Sequence, residues 1–140
     1  VLYAPSLKTL YLAEHGMGAY RCTHERAERL PLAPQRSGTW RITGSRSHEE
    51  SRLKNYIKEQ RKKRGRIQFI PCSSALKFAC LAEGKADEFA RFMVTREWDT
   101  AAGVALLWEA GGRIIPDGRQ PDDLDYNTES LDSPPFKAYL

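Results

Sequence analysis

The chain opens with alternating apolar and polar positions and later shifts to helical spacing. Val1–Ala4 and Thr9–Ala13 alternate on either side of Pro5–Lys8, which predicts a β-hairpin. Gly16 and Gly18 mark a tight turn before a short strand at Ala19–Cys22. Residues 23–38 are polar with two prolines and predict a connector with little regular structure. Trp40–Thr43 is apolar enough for a strand. Ser47 and Glu50 form an S-x-x-E capping box that opens a helix, with Leu53, Tyr56 and Ile57 as its apolar stripe and Gly65 as its stop. Arg66–Ile70 reads as a buried strand.

The second half repeats this alternation. Ser73 or Ser74 is the expected cap of a second helix, apolar nearly all round at Ala75, Leu76, Phe78, Ala79, Cys80 and Leu81, and therefore deeply packed. Glu83–Lys85 turns into a strand near Asp87–Phe92. Asp99 caps a third helix that runs to about Ala110 and stops at Gly111 and Gly112. Arg113–Ile115 is a further strand, and the tail from Pro116, rich in Asp, Pro and Asn, is assigned no element. Strands alternating with helices from Trp40 onward predict an α/β architecture, a layered sheet flanked by helices.

Composition narrows the class. The chain has 140 residues, 41% hydrophobic and 29% charged. With three Trp, six Tyr and five Phe available for a core, a folded rather than a disordered chain is expected. No apolar run reaches the roughly 20 residues of a membrane helix, so no membrane partner is expected, and no signal segment leads the chain. Cys22, Cys72 and Cys80 are too few and too irregularly spaced for a disulfide framework or a zinc site; free thiols in a cytoplasmic protein are expected. Residues 1–70 hold 15 Lys and Arg against 6 Asp and Glu, and residues 71–140 hold 7 against 12. Six of those cations crowd Lys58–Arg66, where they suit the negative end of a helix better than a nucleic-acid surface.

The chemistry concentrates in Glu97–Gly112, EWDTAAGVALLWEAGG. Asp99 has two readings, a plain helix cap or a metal ligand facing a crevice at the helix start. Ala101, Ala102 and Gly103 leave that first turn bare to a ligand or another backbone. Ser73 and Ser74 precede a helix whose amide N–H groups could hold an anion. Lys77 and Arg91 are cations on otherwise apolar segments, able either to bind phosphate or to pair with acids such as Glu83 or Asp87. His48 reads as a helix-start residue rather than a base.

WDTAAG followed by EAGG resembles the C-terminal signature of the inositol monophosphatase-like family of Mg²⁺-dependent phosphatases. SSALKFACLAEGKADEFARF, SRSH (Ser45–His48), YAP with GAYR, and LDYNTESLDSPPF are similar to further segments of that family in the same order. LKF, RF and SRSH are most similar to its CysQ-type 3'(2'),5'-bisphosphate nucleotidase branch. Cys72, Ala75, Ala90, Met93 and Val94 depart from the pattern.

The resemblance implies that Asp99 is a metal ligand that also contacts substrate, while Ser73, Ser74, Lys77 and Arg91 bind substrate. It implies Mg²⁺ held mainly by a glutamate and a DP-x-DGT motif, which no stretch of this sequence matches. The expectation is therefore a C-terminal half, with residues 1–22 as a remnant of a first-domain sheet, 23–38 a connector and 39–140 an α/β domain. Completed by an N-terminal half, it would remove the 3'-phosphate of adenosine 3',5'-bisphosphate or a similar nucleotide or sugar phosphate; alone it would be inactive. The alternative is a non-catalytic α/β interaction domain that self-associates as a homodimer.

Overall fold

A computed structural model describes residues 1–32, 38–45 and 50–140, Glu50 by its backbone only. The predicted hairpin forms from β1 (Leu2–Ala4) and β2 (Thr9–Glu14), with Ala4 opposite Thr9 and Leu2 opposite Tyr11. Pro5–Leu7 between them makes one 3₁₀ turn, as proline in a first turn favours. Strand β3 (Gly18–Cys22) pairs with β2, and β4 (Ala27–Arg29) pairs with β3, completing a four-stranded antiparallel sheet. Strand β4 lies inside the segment expected to have little regular structure. It forms because Tyr20, Arg21 and Cys22 offer an open edge to Arg29, Glu28 and Ala27.

The second sheet begins with β5 (Trp40–Gly44), followed by α1 (Glu50–Arg64) and β6 (Ile67–Pro71). Gly65 ends α1 in the left-handed conformation, φ +85°, that its lack of a Cβ permits. The expected Ser47–Glu50 capping box and His48 lie outside the described residues. Helix α2 (Leu76–Ala82), β7 (Glu88–Arg91), the short β8 (Thr95–Arg96), α3 (Glu97–Glu109) and β9 (Arg113–Pro116) follow. The tail adds β10 (Asp132–Ser133), paired with β8, and β11 (Phe136–Tyr139). Strand β11 inserts antiparallel between β7 and β9, giving the order β6-β5-β7-β11-β9, with β5 parallel to both β6 and β7.

Strand alternation settles the layers. Phe89 of β7 and Phe136 and Ala138 of β11 face Phe78 and Leu81 of α2 and Val104 and Leu107 of α3 in one core. Glu88, Lys137 and Tyr139 point the other way, toward α1, where the Tyr56 hydroxyl donates to Glu88. The opposite side of α2 and α3 packs Ala79, Ala82, Leu106 and Ala110 against Tyr11 and Ala19 of the first sheet and Leu30 just after β4. Helices α2 and α3 are thus sandwiched between two sheets, and α1 covers the far face of the second. The layered α/β architecture is as the alternation predicts.

Candidate functional site

Helix α1 leaves β5 for one face of the second sheet, and α2 leaves β6 for the other. That divergence opens a crevice at the carboxyl ends of parallel strands, the usual position of a ligand site in such sheets. A cavity of 330 Å³ lies there, lined by Ser45, Ser74, Ala75, Lys77, Phe78, Phe89, Arg91, Thr95, Trp98, Asp99, Thr100 and Phe136.

Each polar group reaches the cavity by a local device. Ser45 follows the last residue of β5 directly. Lys77 is the second residue of α2, and Arg91 ends β7. Lys77 is 4% exposed, and burying an ammonium is costly without polar partners. Its Nζ donates to Ser45 Oγ at 3.0 Å and stands 5.3 Å from the centre of the Phe89 ring. The acids expected as alternative partners are engaged by other cations. Asp87 holds the Arg41 guanidinium at 2.7 and 3.0 Å, and Glu83 accepts from Tyr11 at 2.9 Å and pairs with Arg21 and Lys85.

Asp99 is not the residue that caps α3. The helix starts two residues earlier, at Glu97, and Asp99 occupies its third position. Asp99 Oδ2 accepts from Thr95 Oγ1 at 2.9 Å and from the Arg96 amide at 3.4 Å, closing the helix start while the residue stays exposed on the cavity. Neither Ser73 nor Ser74 caps α2. Helix α2 begins at Leu76, preceded by Ala75 in helical geometry with no side-chain cap. Ser74 instead adopts a left-handed φ of +47° and lines the cavity. Ser73 is exposed and not among the lining residues. Nor is Gly103 bare to a ligand, for its surface is covered by Phe78.

Ser45 carries no role that its local sequence signals, although both it and Thr95 line the cavity. Position i−4 to an aspartate in a helix's first turn was the available signal for Thr95. Glu97 is a further residue of this region. Its buried carboxylate accepts from Asn127 N at 2.6 Å, Thr128 N at 3.0 Å and Thr128 Oγ1 at 2.5 Å, which ties the tail to the start of α3 beside Asp99. The Thr128 hydroxyl, joined by those amides, holds the Glu97 carboxyl below the usual range.

Residues 1–133 match the inositol monophosphatase family. The chain belongs to that family. It is 35% identical to the 3'(2'),5'-bisphosphate nucleotidase CysQ of Salmonella typhimurium over 146 residues, covering 100% of this chain and 50% of that protein. Identity to the protein of that name from Escherichia coli K12 is 34% over 147 residues, covering 100% and 54%. The crystal structure of CysQ from Bacteroides thetaiotaomicron superposes with a TM-score of 0.88 at 38% identity, over 98% of this chain and 55% of that one. The chain spans about half the length of the relatives it matches.

Mg²⁺ is the metal generally associated with the inositol monophosphatase family, and this chain's residues can be tested against it. Mg²⁺ takes six oxygens in near-octahedral array. Among the described residues, Asp99 is the one carboxylate lining the cavity, and no group of three or more His, Cys, Asp or Glu stands close enough to hold an ion. These residues do not by themselves make a Mg²⁺ site. What the family member's cavity does offer is cationic and hydroxyl groups on a low-dielectric wall of phenylalanine rings, a surface suited to a phosphate ester.

Among the described residues no helix is long and apolar enough to cross a membrane. The basic segment lies where α1 ends, with Arg61–Arg64 in its last turn and the Arg64 guanidinium 4.0 Å from the centre of the Trp40 ring.

Proposed function

We propose that this chain is the substrate-binding half of a phosphomonoesterase that removes the 3'-phosphate of adenosine 3',5'-bisphosphate or a similar phosphomonoester. The observation that carries this reading is the convergence of Ser45, Ser74, Lys77, Arg91 and Asp99 on one cavity at the carboxyl ends of parallel strands. In it, Lys77 and Arg91 hold phosphate oxygens, since ionised donors make the strongest hydrogen bonds to phosphate. The Ser45 hydroxyl orients the Lys77 ammonium. Asp99, held by Thr95, supplies one carboxylate toward a Mg²⁺ centre whose other ligands come from outside these 140 residues. Ser73, next to Ser74, contributes at most through the shape of the turn. The relatives' names support the substrate class, and three free thiols suit a cytoplasmic setting.

Phosphate release from adenosine 3',5'-bisphosphate in the presence of Mg²⁺ tests the proposal. The chain alone is expected to bind the nucleotide without turnover, and Lys77→Met to weaken binding. Turnover by the chain alone would refute the claim that Asp99 is insufficient. Absence of nucleotide binding would remove the substrate assignment.

A second reading rests on the outer face of the first sheet, where Tyr3 is 58% exposed and shares its side with Leu10 and Cys22. An apolar sheet face of this kind favours self-association. Light scattering checks it: a dimer supports the reading, and a monomer at high concentration dismisses it.

A further inference from the structure

We propose that a second cavity, on the other side of Arg91, is an anion site for a small molecule bearing a phosphate dianion, separate from the site of the proposed reaction. It measures 420 Å³ and is formed where α1, the end of β7, the Pro116–Arg119 turn and the start of β11 meet. Arg91 and Phe136 line both cavities; Ser74, Lys77 and Asp99 line only the first.

Charge carries the argument. Among the described residues, four cations, Arg52, Arg91, Arg119 and Lys137, line this concave surface against a single acid, Asp117. They come from separate elements, so no helix pattern brings them together, and their mutual repulsion is relieved when an anion occupies the space between them. The cations are also held in place. Arg52 Nη1 donates to the Phe92 carbonyl at 3.0 Å, and Arg119 Nη1 donates to Asp125 Oδ2 at 2.7 Å. The Lys137 ammonium stands 5.5 Å from the centre of the Tyr56 ring. The turn that presents Arg119 is itself fixed, with the Asp117 amide on the Pro135 carbonyl at 2.7 Å and Gly118 at φ +69°. Asp125 also holds Arg119, and among the described lining residues cations still outnumber acids, beside apolar walls. Guanidinium forks match the oxygens of a tetrahedral dianion, and the volume suits a small ligand.

The inference does not depend on the phosphatase reading, and its test separates the two. Backbone-amide NMR of the chain is followed while inorganic phosphate replaces chloride at constant ionic strength. Saturable shifts are expected at Asp117, Gly118, Arg119 and Lys137. Arg119→Gln with Lys137→Gln should weaken that binding about tenfold or more, as loss of charge-assisted hydrogen bonds predicts. Asp117→Asn should strengthen it severalfold. Shifts at Ser74–Lys77 should survive both changes, since they report the first cavity. Phenyl phosphate distinguishes the sources of the dianion: tighter binding than inorganic phosphate means an organic ester, equal binding the free ion. The proposal fails if the Asp117–Lys137 amides do not saturate, or if their affinity ignores the charge changes. Should the double variant not fold, Arg119→Gln and Asp117→Asn, both at exposed turn positions, give the same decision.

Discussion

The side chain of Phe78 in α2 lies directly against the backbone of Gly103 in α3. A Cβ at position 103 would fall 2.2 Å from Phe78 Cδ2, 2.5 Å from Cγ and 2.9 Å from Cβ. Phe78 is the hub of the aromatic core, 5.2 Å from the Phe89 ring and 5.7 Å from Phe136, so displacing it disturbs all three rings. Gly103→Ala is therefore expected to cost about 1–3 kcal/mol, the usual penalty for overpacking a filled core. Urea denaturation checks this through a lower midpoint at unchanged slope.

Tyr11 couples the first sheet to the end of α2. Its hydroxyl donates to Glu83 Oε1 at 2.9 Å, and burial together with the Glu83 carboxylate keeps the phenol protonated far above neutrality. Tyr11→Phe leaves Glu83 with Arg21 and Lys85 and is expected to cost about 1 kcal/mol, the net worth of one hydrogen bond. A loss above several kcal/mol in thermal unfolding would mean that Glu83 depends on Tyr11 more than these ion pairs allow.

Two carboxylates predict the response to acid. Glu97 is lowered first by the Thr128 hydroxyl, and Glu109 by the Gly16 and Gly18 amides, which donate at 3.0 and 2.9 Å. A carboxyl that is more acidic when folded stabilises the fold above its unfolded value of about 4.3, and that contribution fades as pH falls through the folded value. Stability should thus hold from neutrality down to about pH 5 and decline below it. Glu97→Gln and Glu109→Gln should each flatten the decline. Amide exchange at Gly16 and Gly18 should quicken only in the latter.

The thiols should react in a set order. Burial pushes the Cys80 thiol up to about 11 and raises Cys72 as well, and Cys80 is buried where Cys72 is half-exposed. At neutral pH neither is appreciably thiolate, the form that alkylates. Iodoacetamide labelling followed by peptide mass analysis should show Cys72 modified before Cys80, with both rates climbing well above pH 8. Rapid labelling of Cys80 at neutral pH would show that α2 opens locally.

Most elements that a local pattern can specify were legible. The hairpin at Val1–Ala13, the Leu53–Tyr56–Ile57 stripe of α1 and the all-round apolar α2 each follow from periodicity within one segment. The segment 23–38 and the Asp-rich tail were harder. Strand β4 has three residues and β11 four, too short to carry a period, and both exist because distant strands offer them an edge. The boundary of α3 slipped for a related reason. Asp99 looks like a cap, but the β8–β10 pairing through Arg96 and Asp132 fixes the backbone so that the helix begins earlier, at Glu97.

The candidate site divides along the same line. By itself the sequence determined the family, the layered α/β class and the residue types that suit phosphate, because motif order and hydrophobic period are local properties of the chain. Only the tertiary structure decided which of those residues meet. Ser74, Lys77, Arg91 and Asp99 enter one cavity while Ser73 lies outside its lining, and Ser45 joins them from a third segment. Gly103 serves Phe78 rather than a ligand. These outcomes depend on the opposite exits of α1 and α2 from the sheet and on β11 arriving from the tail to hold β7 and β9 together. Such long-range pairings are set by the packing of the whole chain, which no window of sequence contains.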